Sequence, residues 1–291
     1  MDMNEYQQRA QVTSQGERGD QNTKMVALLG LSGETGSLLT LYKKVLRDGS
    51  SFGSMNDRIV EELGDVLWYV ADIAAQFGLN LSDVADANLL KIKDRWEPSN
   101  PLSFPQFDSE YPEEERFPRV FEAEFCNSGP TTHPRLEVFI SGQKFGSTLT
   151  DNAYTTDDYR YHDLLHLSFA TVLGWSPVLR ALLKRKRKSS PMCDEVEDGG
   201  RAAAVEEGLA ALIFAYATQH SLLDGVTRLD WPLLRTCKEM TAHLEVSSRS
   251  SNDWEDAILQ AFAVWREMKR NGGGIVICNL DSRRLRYQDP C

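Results

Sequence analysis

The chain has 291 residues, of which 41% are hydrophobic, and a formal net charge of −11 at neutral pH. This composition can bury a core and excludes wholesale disorder, while the length predicts two domains or one large one. The negative charge argues against nucleic-acid binding through the whole surface and suits a protein that gathers divalent cations.

Three features indicate the compartment. No run of about 18 or more apolar residues is present, so no membrane span is expected. The polar, acidic N-terminus, which begins Met-Asp-Met-Asn-Glu, is unlike a secretion signal. The five cysteines are scattered without CxxC spacing, which is typical of reduced thiols. We therefore expect a cytoplasmic protein.

Four helices joined by short loops are predicted in the first third of the chain. The first two cover about residues 4–13 and 24–47, the third ends near Gly78, and the fourth runs from an N-cap at Ser82 through Arg95. Such an arrangement predicts a helical bundle. Apolar residues at helical spacing also predict one buried face on the third helix. These residues are Val60, Leu63, Val66, Leu67 and Val70.

Composition changes after Trp96, because four prolines between residues 97 and 115 indicate a linker. Strands are predicted at 120–125 and 136–140, and a strand pair near the chain end is a candidate for the same sheet. The predicted fold is therefore mainly α, with a helical bundle, a small β element and a second helical domain.

The second helical block is predicted to begin at about Thr156. Its helices cover residues 162–173, 177–183, 201–220, 232–246 and 252–270. A basic run, Lys184–Lys188, and an acidic loop at 194–200 separate two of these helices. The basic run is interpreted either as a solvated loop that the acidic loop partly neutralises, or as a contact for phosphates or RNA.

An acidic pair stands out on the third helix. Glu62 and Asp65 are three residues apart, which places two carboxylates on one side of the helix, one turn above the other. Like charges so placed repel each other unless a cation lies between them. The pair is therefore a metal-site hypothesis, and the alternative is a solvated acidic edge.

Four short motifs follow one another within the first 96 residues. They are Glu5-Tyr6-Gln7 with Thr13, Gly30-Leu31-Ser32-Gly33-Glu34-Thr35-Gly36, Glu61-Glu62-Leu63-Gly64-Asp65-Val66-Leu67-Trp68-Tyr69, and Asn88-Leu89-Leu90-Lys91 with Arg95. In combination they resemble the MazG-like all-α nucleoside triphosphate pyrophosphohydrolases. On this resemblance, residues 1–98 form the nucleotide pyrophosphohydrolase domain. Composition and the predicted elements divide the rest into a linker with a small sheet at 99–150 and a C-terminal helical domain with a candidate second metal site at 151–291.

The resemblance implies a reaction and a set of ligands. Members of this family bind Mg²⁺, or Mn²⁺ in its place, and cleave a nucleoside triphosphate to the monophosphate and pyrophosphate. The residues carried over as metal ligands are Glu34, Glu62 and Asp65. Contacts with the phosphates or the base are implied for Asn88, Lys91 and Arg95. The resemblance also implies a homo-oligomer.

One position departs from the family pattern. Ser37 stands where the family has a second glutamate, and a hydroxyl can ligate a metal or orient a water but adds no charge. Three interpretations remain open. Glu61 supplies the missing acid, fewer metal ions bind, or the site is degraded.

Histidines and acids mark the second half of the chain. His162, Asp163 and His166 can converge on one side of a helix. Glu206 or Glu207 on a facing helix could complete a metal site with them. In the alternative interpretation the histidines form local caps or pairs, and the glutamates meet the basic run.

Three functional hypotheses follow. The first is an Mg²⁺-dependent nucleotide pyrophosphohydrolase in which Glu34, Glu62 and Asp65 hold the metal and water is the nucleophile. The second is a non-catalytic nucleotide-sensing or interaction module whose site has been degraded at Ser37. The third is a metal-dependent hydrolase or nuclease centred on the C-terminal domain.

Overall fold

Helices dominate the structure, which is a computed structural model that describes residues 1–49, 55–97, 106–130 and 132–289. The chain divides into an N-terminal unit, residues 1–93, and a C-terminal unit, residues 94–291. A five-stranded antiparallel sheet accompanies the helices. The predicted class, mainly α with a small β element, is confirmed. The domain boundary predicted at residues 98 and 99 lies outside the described residues.

The predicted helices of the first third are all present. They are α1 (Met3–Gln11), α2 (Gln21–Asp48), α3 (Met55–Gln76) and α4 (Leu81–Trp96). Asp20 caps α2, since its carboxylate accepts hydrogen bonds from the backbone N–H groups of Asn22 and Thr23. The Ser82 cap of α4 was predicted two residues too late, because the helix begins at Leu81 and its N-cap is therefore Asn80.

Side chains of α1 replace a local cap at the start of α4. The buried amide of Gln7 accepts a hydrogen bond from the Leu81 N–H at 3.0 Å, and Asn4 accepts one from the Ser82 N–H at 3.3 Å. Gln7 also donates to the carbonyls of Ala71 at 3.3 Å and Leu79 at 3.0 Å. One side chain of α1 thus connects the end of α3 to the start of α4, and it satisfies backbone groups that a helix terminus leaves unpaired.

The buried face predicted on α3 is wrong. Val60 is 70% exposed and Leu63 is 49% exposed, whereas the residues of α3 that are buried lie near its C-terminal end. Those residues are Ala71, Asp72, Ala74, Ala75 and Gln76. Periodicity marks an apolar face correctly, but it does not show that the same chain supplies the surface that covers it.

Helix α2 is long and apolar enough to cross a membrane by length and composition alone, considering the described residues only. Core helices of soluble proteins pass the same test, so this is weak evidence. The expected absence of a membrane span stays a prediction.

The sheet of the C-terminal unit has the strand order β3-β2-β1-β4-β5. Its strands are β1 (Val120–Ser128), β2 (Arg135–Ile140), β3 (Gln143–Leu149), β4 (Gly273–Asn279) and β5 (Arg284–Gln288). Strands from the chain end thus join those after the linker, with β4 antiparallel to β1. Ser141 and Gly142, the predicted turn, have positive φ values of 52° and 73°, which is typical of a tight hairpin. The strand that follows them, β3, was not predicted.

Among the described residues the C-terminal unit has six α-helices, and the last of them packs on β4 and β5. They are α5 (Asp163–Ser168), α6 (Pro177–Leu182), α7 (Pro191–Val196), α8 (Gly200–Gln219), α9 (Trp231–Met240) and α10 (Ser251–Asn271). A π-turn, Phe169–Leu173, continues α5. The second helical block was predicted to begin at about Thr156, but α5 begins at Asp163. Strands and helices share one hydrophobic core, which includes Phe125 and Val138 of the sheet and Trp254 and Trp265 of α10.

A buried ion network includes Arg187 of the predicted basic loop and Asp198 of the predicted acidic loop. Arg187, in the basic run, is 1% exposed and contacts Asp198 at 2.7 Å and Glu245 at 2.7 Å. Its neighbour Arg180 contacts Asp108 at 3.0 Å. Burial alone would raise the pKa of Asp108, but Arg180, the Phe117 N–H and Arg119 lower it. The predicted acidic loop at 194–200 is wrong in its first part, which belongs to α7 and is capped by Ser190.

A glycine of α2 lies against an aromatic side chain of α3. A Cβ atom added at Gly30 of α2 would lie 2.1 Å from Cε1 and 2.3 Å from Cζ of Tyr69 on α3. Gly33, three residues further along α2, has no atom within 4 Å of such a Cβ. The close helix–helix contact therefore depends on Gly30 and not on Gly33.

We expect Gly30→Ala to destabilise the N-terminal unit and Gly33→Ala to stabilise it. Both changes remove about 1 kcal/mol of helix-propensity cost, but the first also forces Tyr69 aside, which costs roughly 1–3 kcal/mol. Urea unfolding followed by helical circular dichroism measures the difference. If the two variants change stability equally, Gly30 and Tyr69 do not set the helix contact.

Candidate functional site

The contact between Gly30 and Tyr69 sets the register of α2 against α3. The helices are joined by a short connection and pack together, so they run antiparallel. A residue that lies a given number of positions after Gly30 on α2 is therefore level with the residue that lies the same number of positions before Tyr69 on α3. Glu34, four residues after Gly30, is level with Asp65, four residues before Tyr69. By the same step count Ser37 is level with Glu62.

Helical rotation places these side chains on the facing surfaces. At 100° per residue, Glu62 lies within about 20° of the Tyr69 direction and Asp65 within about 40°, whereas Glu61 is turned away by about 80°. Glu62 is half-buried and Glu61 is exposed, which agrees with this rotation. Glu34 and Ser37 are both half-buried on α2. From this register and rotation we infer that Glu34, Ser37, Glu62 and Asp65, the last of which is exposed, share one helix–helix surface.

The donors of this surface suit a hard cation. Within the described residues, the carboxylates of Glu34, Glu62 and Asp65 accept no hydrogen bond and form no ion pair. Oxygen atoms are the ligands that Mg²⁺ and Mn²⁺ prefer. The three carboxylates do not have ligand atoms all within 4.8 Å of one another, although the described part of the chain contains another set that does.

The predicted phosphate contacts on α4 divide into two groups. Asn88 and Lys91 are exposed, and they remain predicted substrate contacts. Arg95 instead donates a hydrogen bond to the Leu229 carbonyl, and its guanidinium lies 5.8 Å from the centre of the Trp231 ring. These contacts favour a structural role for Arg95 within the C-terminal unit.

A second set of side chains converges in the C-terminal unit. His162, His166 and Glu207 each offer one ligand atom, and these atoms all lie within 4.8 Å of one another. His162 immediately precedes α5 and His166 lies on it, while Glu207 lies on α8. Asp163 is near, with its Oδ1 3.5 Å from Nε2 of His162. The structure thus brings together four of the five residues predicted for this site. The fifth, Glu206, is buried and contacts the opposite ring nitrogen of His166.

Glu206 orients His166 from inside the protein. Its carboxylate is fully buried and accepts hydrogen bonds from Ser176 Oγ at 2.5 Å, from the Val178 N–H at 2.8 Å and from His166 Nδ1 at 2.8 Å. Burial alone would lower the pKa of His166, but Glu206, Glu207 and Asp163 raise it to about 10. Nε2 of His166, on the other side of the ring, is buried and has no hydrogen-bond partner among the described residues.

His162 is oriented in a similar way. Its Nδ1 lies 3.0 Å from the Tyr159 carbonyl oxygen, and its ring stacks on the Tyr159 ring with centres 4.7 Å apart. Ser176, Val178 and Tyr159 were not predicted as parts of the site. The Ser176-Pro177 pair is a helix N-cap signal, but nothing in the sequence shows that this helix start meets Glu206.

A helical bundle that carries acidic side chains on two packed helices, with no ion pair to Glu34, Glu62 or Asp65 within the described residues, suits a protein that binds a metal ion. The family model described as MazG nucleotide pyrophosphohydrolase domain matches residues 23–98, and the model described as MazG C-terminal domain matches residues 102–291. The second match covers more than half of the chain, so the chain belongs to the MazG family. The predicted resemblance is confirmed, and it extends to the half for which the sequence motifs indicated no family.

The family is one of nucleotide pyrophosphohydrolase-type hydrolases, and its members generally depend on a divalent metal ion. The chain is also similar to the Gene 37 protein of Mycobacterium phage L5, with 42% identity over 69 residues. That match covers 23% of this chain and 60% of the phage protein. No solved structure matches the chain significantly.

We expect Ser37→Glu to tighten Mn²⁺ binding. The new carboxylate would stand level with Glu62 and add one negative ligand, so affinity should rise roughly tenfold or more, which is about 1.4 kcal/mol. The measurement is a Mn²⁺ titration of the full-length protein followed by electron paramagnetic resonance.

Thr35→Glu is the matched control, because Thr35 is exposed and is turned about 140° from the Gly30 direction. It adds the same charge to the same helix without facing α3. An equal gain in both variants would mean that Ser37 does not face a metal site.

Proposed function

We propose that the protein is an Mg²⁺-dependent nucleoside triphosphate pyrophosphohydrolase. One observation supports the proposal: Gly30 lies against Tyr69, and in the register that we infer from this contact Glu34 is level with Asp65 and Ser37 with Glu62. Within the described residues these carboxylates have no protein cation to neutralise them. Triphosphates reach enzymes as magnesium complexes, so a carboxylate cluster suits a substrate that brings positive charge with it.

Each residue has a role in this proposal. Glu34, Glu62 and Asp65 hold the metal, and the Ser37 hydroxyl orients a water beside them. Bound Mg²⁺ supplies charge neutralisation for the phosphates and acidifies a coordinated water. Asn88 and Lys91 contact the phosphates, because an amide and an ammonium group both donate hydrogen bonds to phosphate oxygens.

The reaction consumes one water for each nucleotide. The water oxygen forms a bond to the α-phosphorus, and the bond from that phosphorus to the bridging oxygen breaks. Pyrophosphate leaves with the bridging oxygen and the nucleoside monophosphate remains. Glu62 is level with Ser37 in the inferred register. We assign to the Glu62 carboxylate the role of accepting the proton of the attacking water.

The second candidate is a nucleotide-sensing module without turnover. It is favoured by the Ser37 departure, since the facing surfaces carry three carboxylates where four are expected from the family. Such a module would bind a nucleotide and gain thermal stability from it without releasing pyrophosphate.

Substitutions at adjacent glutamates separate these candidates. We expect Glu62→Gln to lower the turnover number at least about 100-fold, which is roughly 2.7 kcal/mol of activation free energy, and Glu61→Gln to leave it nearly unchanged. The assay incubates a panel of NTPs and dNTPs with Mg²⁺ and measures the monophosphate and pyrophosphate formed.

Loss of turnover in both variants would assign the missing acid to Glu61. Nucleotide binding without turnover in the wild-type protein would favour the sensing module. Turnover that Glu62→Gln leaves intact would overturn the proposed site.

We also propose that the protein is a cytoplasmic homo-oligomer. The cysteines at 126, 193, 237 and 278 are free thiols, which suits a reducing compartment. The N-terminal unit leaves large apolar side chains exposed on α2 and α3, and large exposed apolar patches are typical of subunit interfaces. The exposed residues are Met25, Val26, Leu28, Leu29, Leu39, Leu46, Val60, Leu63 and Leu67.

We expect the wild-type protein to have a solution mass of at least twice the chain mass of 32.8 kDa. The double variant Leu39→Asp/Val60→Asp should shift this mass towards that of the monomer. Both residues are turned away from the α2–α3 contact, so the bundle should persist while the apolar surface is interrupted. Light scattering after size exclusion measures the mass. Val12→Asp, at a residue 84% exposed on the C-cap of α1, is the control. A monomeric wild-type protein would contradict this proposal.

A further inference from the structure

A buried histidine nitrogen in the C-terminal unit has no hydrogen-bond partner among the described residues. Nε2 of His166 belongs to a side chain that is 2% exposed, and it accepts or donates no hydrogen bond within the described residues. Buried polar atoms are nearly always hydrogen-bonded, so each exception needs an explanation. We propose that His162, His166 and Glu207 bind a divalent transition-metal ion such as Zn²⁺, with Glu206 holding His166 in position. This site is separate from the carboxylates of the proposed pyrophosphohydrolase site.

The spacing of the ligand atoms fits a metal better than a hydrogen bond. The Glu207 Oε1 lies 3.5 Å from Nε2 of His166, which is too long for a normal hydrogen bond between nitrogen and oxygen. Two ligands of one tetrahedral ion, each with a bond of about 2.0–2.2 Å, stand roughly 3.4 Å apart. The gap between these atoms is therefore close to the gap that a shared ion would leave.

The contacts of both histidines suit the tautomer that metal ligation needs. A ligating histidine commonly donates its second ring N–H to a carboxylate or to a backbone carbonyl. Nδ1 of His166 meets the Glu206 carboxylate at 2.8 Å, and Nδ1 of His162 meets the Tyr159 carbonyl at 3.0 Å. A neutral imidazole that donates through Nδ1 carries its free electron pair on Nε2. The surrounding protein therefore prepares Nε2 of each ring as a metal ligand.

The donor set selects the class of ion. Two imidazole nitrogens and one carboxylate oxygen are typical ligands of Zn²⁺ and other first-row transition metals, whereas Mg²⁺ prefers oxygen alone. The Glu207 side chain is 48% exposed, so solvent reaches one side of the site. Three protein ligands with a further position open to water is the arrangement of catalytic zinc sites, since structural sites use four protein ligands.

The competing explanation for the unpartnered Nε2 is that it carries a proton and binds no metal ion. A protonated His166 between Glu206 and Glu207 would be an ion triad that needs no metal, and the raised pKa of His166 describes that state of the metal-free protein. A proton and a metal ion compete for the same electron pair. Direct metal titration separates the two explanations.

The experiment titrates full-length, chelator-treated protein with Co²⁺ and records its visible absorption, then repeats the titration with Zn²⁺ by calorimetry. We expect one site with the absorption of a four-coordinate ion that has nitrogen ligands. Glu62→Gln/Asp65→Asn should retain this absorption, because it removes only carboxylates of the N-terminal unit. Glu207→Gln should weaken Zn²⁺ binding at least about 100-fold.

Controls separate ligation from folding. Glu207 is half-exposed, so Glu207→Gln should keep the thermal stability of the metal-free wild-type protein, while losing the stabilisation that Zn²⁺ gives. Glu239→Gln changes an exposed glutamate of α9 and should bind Zn²⁺ as the wild type does. His162→Gln should resemble Glu207→Gln. The proposal is overturned if the wild type shows no four-coordinate Co²⁺ absorption, or if Glu207→Gln binds Zn²⁺ with unchanged affinity.

Discussion

The contact between Gly30 and Tyr69 is the constraint on which the arrangement of the candidate active site depends. Helices carry side chains at fixed angular and axial intervals, so one contact between antiparallel helices determines which other residues stand level. A Cβ atom at position 30 would lie 2.1 Å from the tyrosine ring, and so only glycine permits this approach. The same register pairs Glu34 with Asp65 and Ser37 with Glu62. A change in the register would separate the acids even if every acidic residue were retained.

In the C-terminal unit a comparable dependence centres on Glu206. A buried carboxylate is costly unless its oxygens are hydrogen-bonded, and this one is satisfied by Ser176, Val178 and His166. The three donors come from two segments that the sequence separates from α8, so the carboxylate ties them together. The nearby network of Arg180, Arg187, Asp108 and Asp198 is also buried. Polar groups that are satisfied in this way specify one arrangement of their neighbours, and the histidine orientation follows from it.

Much of this fold could be predicted from the sequence, for local reasons. The bundle helices are amphipathic and are separated by polar loops, so their positions follow from periodicity. Strand β3 escaped prediction because, of Gln143–Leu149, only Phe145 is a buried hydrophobic residue. Helix α7 was predicted as a loop because the acidic residues were given more weight than the N-cap signal of Ser190-Pro191. The spacing of Glu62 and Asp65 predicted a shared face, but the register that sets Glu34 and Ser37 opposite them comes from a tertiary contact. Similarly, no local pattern distinguishes Glu206, which is buried and orients His166, from Glu207, which reaches solvent.

The two candidate sites differ in donor chemistry, and this difference decides how one chain can hold two kinds of cation. The facing surfaces of α2 and α3 offer only oxygen, on exposed or half-buried side chains. Hard ions that keep several waters suit such a site. The histidine site offers two nitrogens and one oxygen, and its ring orientations are set beforehand by Glu206 and Tyr159. Preorganised imidazoles bind transition metals far more tightly than Mg²⁺, so the two sites would not compete for the same ion. A partly exposed acidic surface suits a metal ion that arrives and leaves with its substrate. A preorganised histidine site suits a metal ion that remains bound.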